Sequence, residues 1–121
     1  MRLFLRVAGA VVLTVLLVLM LGPAPQAETS GLIWDKAAHF VAFGLILWSL
    51  AVMMPRLPRV WAVIAAVAIG GAVELIQGQV GRDASWWDFV ADILGIAAAV
   101  MVWLVWRRFQ PRRERQISDT A

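Results

Sequence analysis

Apolar positions along this chain fall into four long runs, over residues 3–22, 37–54, 60–80 and 88–106, separated by short breaks rich in proline, glycine or polar residues. Each run is close to the ~20 residues needed to cross a hydrocarbon core of about 30 Å. Backbone groups inside lipid find no water, so each run must satisfy its own hydrogen bonds; this predicts helices and excludes an open sheet. Pro23 and Pro25 close the first run, Pro55 and Pro58 separate the second from the third, and Gly78 with Gly81 loosens the end of the third. The longest connection, residues 23–34, is a small polar loop. The first run starts with basic residues and Ala27 is a candidate cleavage position, but the run exceeds the ~7–15 residues of a signal-peptide core and Pro25 stands where a small residue is wanted. A retained span is therefore expected. The pattern predicts an all-α polytopic membrane protein: one bundle of four transmembrane helices within residues 1–106, with short loops, followed by a basic tail at 107–121.

Composition narrows the picture further. Of 121 residues, 62% are hydrophobic and only 16% charged, with a mean hydropathy of +0.80, which excludes an ordinary soluble domain and leaves no length for a separate catalytic module. The absence of cysteine excludes disulfides, a thiolate nucleophile and a zinc–thiolate site. The net charge of +3 does not point to nucleic acid, because the basic residues sit at helix ends and in the tail. Nine of them (Arg2, Arg6, Arg56, Arg59, Arg107, Arg108, Arg112, Arg113, Arg115) fall on one side of the expected membrane, and two (Lys36, Arg82) on the other. By the positive-inside rule both termini and the Pro55–Arg59 loop are cytoplasmic. Tryptophans agree, with Trp34, Trp86 and Trp87 at the outer boundary and Trp61, Trp103 and Trp106 at the inner one. Trp48 lies away from both, and a buried packing role is expected for it.

The remaining polar residues converge on the outer side. Asp35, Lys36 and His39 open the second run, Glu74 and Gln77 close the third, and Arg82, Asp88 and Asp92 lead into the fourth. Ionisable groups at membrane depth are costly and mark either a site or a packed polar network. Spacing of three or four places Asp35 with His39, Glu74 with Gln77, and Asp88 with Asp92 on shared helix faces. Small residues continue two of these stripes, Gly70 or Gly71 with Gly78 around Glu74 and Gly95 with Ala99 below Asp92, so the third and fourth helices are expected to pack through a small-residue seam. Four carboxylates against Lys36 and Arg82 leave two excess negative charges, so either a carboxyl group keeps a proton or the cluster receives a cation. Packing alone could explain the cluster. An oxygen-rich metal set of His39, Asp35, Glu74 and Asp88 is opposed by the two nearby cations, and acid–base work by Glu74 and His39 on a lipid head group is a further reading. Ser85 begins the turn into the fourth helix. The expectation is a ligand-binding set of Asp35, Lys36, His39, Glu74, Gln77, Arg82, Asp88 and Asp92, with no metal, no cofactor and no assigned catalytic residue. The basic tail from Arg107 to Arg115 could hold anionic lipid, each residue near the surface being worth about 1 kcal/mol, but stop-transfer anchoring against membrane lipids is the simpler reading and the one expected.

The runs Asp35-Lys36-Ala37-Ala38-His39-Phe40-Val41-Ala42-Phe43, Glu74-Leu75-Ile76-Gln77 and Arg82-Asp83-Ala84-Ser85-Trp86-Trp87-Asp88-Phe89-Val90-Ala91-Asp92-Ile93-Leu94-Gly95 resemble, in that order, the VanZ-like family of small bacterial membrane proteins. The resemblance covers about residues 35–106. One position departs, since the family pattern usually has asparagine where this chain has Asp92. The founding member is linked to low-level resistance to the glycopeptide teicoplanin without making the altered peptidoglycan precursor. The resemblance thus implies an envelope role at the outer face of the membrane, with a lipid-linked cell-wall precursor or a glycopeptide as partner. It carries over no catalytic residue.

Overall fold

A computed structural model of the chain describes residues 1–22, 31–80 and 85–109, with the side chains of Gly31 and Leu32 left aside. The described residues form four helices: α1 (Arg2–Leu21), α2 (Gly31–Met53), α3 (Arg59–Gln79) and α4 (Trp86–Phe109). All four are long and apolar enough to cross a membrane, and the protein is an all-α, multi-pass membrane protein. Arg82, the proline loop after α1 and residues 110–121 lie outside the described residues.

Two helices extend beyond their apolar runs. α2 begins at Gly31 and not at 37, so that Asp35 and Lys36 lie within the helix and keep the angular register of His39. Hydropathy marks where lipid begins, while a helix continues for as long as its polar turns find partners. α4 starts two residues earlier than its run, where Ser85 Oγ accepts a hydrogen bond from the Trp87 amide at 3.3 Å and the Ser85 carbonyl accepts one from Asp88 at 2.8 Å. Ser85 therefore does open the turn into α4, as an N-terminal cap. α4 runs on to Phe109, with Arg107 and Arg108 in its last turn, where cations suit the helix dipole. Between α2 and α3, Pro55 and Pro58 break the helix and the Arg59 guanidinium donates to the Ala51 carbonyl at 3.1 Å.

α2 is the centre of the molecule and packs on all three other helices, its largest contact being with α4; among the described residues α1 does not reach α4. Gly9 of α1 lies against Ser49 and Met53 near the end of α2, so these two helices run antiparallel. The pairs Lys36–Asp88 and His39–Asp92 advance together, so α2 and α4 run parallel. The buried core follows from this centrality: Phe43, Ile46, Leu47 and Leu50 of α2 meet Ala62, Ala66 and Val73 of α3 and Ile96 and Ala99 of α4. The outer faces remain apolar and exposed, as expected of surfaces that meet lipid.

Two expectations are corrected. Gly95 does not serve the α3–α4 contact: a Cβ there would drive into the Phe40 carbonyl of α2, and across the same contact a Cβ on Gly44 would come within 3.3 Å of the Gly95 carbonyl oxygen. The close seam is α2–α4. On α3 the glycine that matters is Gly70, where a Cβ would come within 3.1 Å of Asp92 Oδ2 and 3.3 Å of the Phe43 ring; Gly78 is exposed. The second correction concerns Trp48, which is 48% exposed and not buried. It stands on the lipid side of α2 and walls a groove towards the arginine-rich end.

Candidate functional site

The α2–α4 seam becomes polar towards the start of both helices, and its order comes directly from helical spacing. Lys36 Nζ donates to Asp88 Oδ1 at 3.0 Å, and one turn deeper His39 Nδ1 and Asp92 Oδ1 share a hydrogen bond at 2.8 Å. Both helices advance by three or four residues between these rungs, so parallel helices carry their side chains into matched pairs. Below them Gly44 and Gly95 bring the backbones together, holding the rungs at hydrogen-bonding range. Phe43 stacks against the His39 ring with centroids 6.4 Å apart and closes the site from the core side.

Burial at this level is nearly complete. His39, Asp88 and Asp92 are 1%, 2% and 0% exposed. A buried ion pair gains from its partner roughly what desolvation costs, so these rungs are worth more as position-fixing devices than as stabilisers; removing one member would leave the other stranded.

Glu74 enters from α3, antiparallel to α4, and stands on the third side of His39 with Oε1 at 3.7 Å from Nδ1. That is an electrostatic approach and not a hydrogen bond. Both Glu74 oxygens are shielded by protein and have no hydrogen-bond partner among the described residues, and Asp92 Oδ2 has none among them either. The Ser85 backbone amide faces the Glu74 carboxylate, but outside hydrogen-bonding geometry. Buried polar groups in native proteins are nearly always hydrogen-bonded, so these three acceptor atoms are suited to donors from beyond the described residues. Glu74 also lines a groove of about 450 Å³ with Gly71, Leu75, Ser85, Trp86 and Phe89, which gives it a route to the outside of the bundle.

Among the described residues, Asp35, Lys36, His39, Glu74, Asp88 and Asp92 come together. Ligand atoms of Asp35, His39 and Asp88, and separately those of His39, Glu74 and Asp92, lie within 4.8 Å of one another. Gln77 goes elsewhere: it is buried, and its Nε2 donates to the Met20 carbonyl at 2.7 Å, tying α3 to the end of α1. Arg82 falls outside the described residues. Sequence reasoning missed Gly44, Trp86 and Phe89 as parts of this region. A lone glycine five residues beyond His39 was the available signal for the first; nothing in the spacing of the two aromatics distinguishes a groove wall from an interface anchor.

With Lys36 committed to Asp88 and His39 to Asp92, the described cluster has partners for two of its four carboxylates. Asp35 is half-exposed, whereas Glu74 is shielded and faces the groove. The arrangement can therefore accept hydrogen bonds or a positive group through Glu74, beside the Ser85 hydroxyl, with aromatic and aliphatic walls for an apolar body. Comparison with protein-family models, with curated proteins and with solved structures returned no match.

Proposed function

We propose that this chain is a VanZ-like integral protein of the bacterial cytoplasmic membrane that binds a lipid-linked or amphiphilic envelope molecule at the outer leaflet. In this reading Glu74 accepts an ammonium or hydroxyl donor of the head group. Lys36–Asp88 and His39–Asp92 fix the walls of the site, and the groove beside Trp86 and Phe89 takes the adjoining apolar portion. The observation that carries this reading is the shielded Glu74 carboxylate, without a hydrogen-bond donor among the described residues, at the inner edge of a groove that opens outward. A group that only pinned helices together would be expected to have its partners in place, as Gln77 has. Modulation of glycopeptide susceptibility would follow if the bound molecule is a cell-wall precursor whose access is altered.

The orientation belongs to the same proposal and rests on the nine-to-two distribution of basic residues. In this cysteine-free chain, Ser30→Cys or Ser85→Cys should be labelled by an impermeant thiol reagent from outside intact cells, and Leu57→Cys should not. Labelling of Leu57→Cys alone would reverse the topology. The binding itself is tested by native mass spectrometry of gently extracted protein: wild type should carry a co-purifying amphiphile that Glu74→Gln lacks, and equal retention by both would remove Glu74 from the site.

A second reading is a membrane enzyme acting on a lipid head group. It draws on the His39–Asp92 pair, in which a carboxylate orients an imidazole as it does in many acid–base sites. Turnover of a supplied envelope lipid by purified protein, lost in His39→Gln, would favour it over binding alone.

A further inference from the structure

At the opposite end of the bundle, α2, α3 and α4 leave a second groove, of about 230 Å³, that plays no part in the polar cluster. Small side chains open it: Ala51, Ala62 and Ala99 form its floor, while Trp48, Trp103 and Trp106 form its walls. Arg59 sits at its lip. The guanidinium of Arg59 lies 5.7 Å from the Trp103 ring centroid, and that of Arg107 lies 5.6 Å from the same ring. Two cations from different helices thus converge on one aromatic ring. Two guanidiniums on one ring call for a counter-anion. None of the described acidic residues supplies it: Asp35, Glu74, Asp88 and Asp92 all lie at the other end, and neither arginine forms an ion pair with a described residue. Arg59 uses one of its N–H groups on the Ala51 carbonyl, which fixes the guanidinium at the lip and leaves the other donors of its fork available.

We infer that this groove is a binding site for an anionic phospholipid of the adjoining leaflet, one acyl chain lying between Trp48, Trp103 and Trp106 and the phosphate bridging Arg59 and Arg107. Charge complementarity identifies the occupant. The groove is apolar enough for a hydrocarbon chain, Arg59 is the one charged residue among its described lining, and guanidiniums match phosphate oxygens through paired N–H donors. A zwitterionic lipid would bring its own cation beside two others. The site is separate from the Glu74 groove and stands whether or not that groove binds an envelope molecule.

The test is native mass spectrometry of the delipidated full chain, titrated with phosphatidylglycerol and phosphatidylcholine of matched acyl chains. Wild type should prefer phosphatidylglycerol. Arg59→Gln/Arg107→Gln should lose on the order of thirtyfold in phosphatidylglycerol affinity, the amount expected when two surface arginines stop contributing. Arg59→Lys/Arg107→Lys should keep most of the preference, and Val63→Trp, which fills the groove, should weaken both lipids. Arg2→Gln/Arg6→Gln removes the same charge from the same end of the bundle but away from the groove, and should keep the preference. Equal binding of the two lipids by wild type would overturn the inference. So would an equal loss in Arg2→Gln/Arg6→Gln, which would reduce the effect to bulk charge, or an unaffected Val63→Trp, which would leave only head-group adsorption.

Discussion

The two ends of this bundle hold opposite charges in opposite ways. At one end Asp88 and Asp92 are buried to 2% and 0% and are met by Lys36 and His39 across the α2–α4 seam. At the other, Arg56, Arg59, Arg107 and Arg108 are exposed, and no described acid answers them. Arginine has a long stem and can carry its charge to the lipid–water boundary, so a basic end needs no internal partners. Aspartate has no such reach. An acid placed on the inner face of a membrane helix must be given a partner by a neighbouring helix, and the seam has to be built around that partner. The acidic end is therefore structure as much as site, whereas the basic end is a surface.

The largest expected effect follows from that difference. Gly95→Leu places a side chain where the Phe40 carbonyl already stands, and the obstacle is backbone that cannot rotate away. The cost should reach or exceed the upper end of the ~1–3 kcal/mol typical of overpacking, seen as a collapse of the melting temperature in detergent. An unchanged melting temperature would mean that α2 and α4 are not in close contact. Next comes His39→Ala, which leaves Asp92 buried beside a cavity. Breaking a buried pair from one side typically costs about 3–5 kcal/mol, and denaturation in mixed micelles should show it. Asp92→Asn retains an acceptor for the His39 ring and should cost no more than about 1 kcal/mol. A loss as large as that of His39→Ala would show that the charge of Asp92, and not only its hydrogen bond, holds the seam. The smallest effect belongs to the basic end, where Arg107→Gln should change stability by no more than ~0.5 kcal/mol, as for other exposed substitutions. A larger loss would make that end part of the scaffold too.

The helices were readable in the sequence because hydrophobic run length reports directly on membrane crossing, and the gathering of Asp35, His39, Glu74, Asp88 and Asp92 at one end followed from counting spans. What the sequence could not supply was direction around each helix. The stripe through Asp88, Asp92 and Gly95 is equally visible whichever helix it faces, and only the central position of α2 decides that Gly95 meets Phe40. Gln77 shares a stripe with Glu74, yet a turn of helix carries its amide past the cluster to the Met20 carbonyl. Trp48 shows the same limit: in lipid an exposed tryptophan costs nothing that would mark it in the sequence, so its position along the helix cannot separate core from groove wall. The start of α2 was hidden because Asp35 and Lys36 look like a polar boundary until their partners on α4 are known.

The claim that the acidic end holds a ligand turns on Glu74, since every other described acid there has a partner or reaches the surface. The most direct measurement is the melting temperature of Glu74→Gln in lipid-free detergent, taken on the same preparation whose co-purifying species are read by native mass spectrometry. A buried carboxylate kept without donors is tolerated for function at the expense of stability. The account predicts a melting temperature equal to or above that of wild type, together with loss of the bound amphiphile. A clear fall in melting temperature with the amphiphile retained would contradict it and make Glu74 a packing residue.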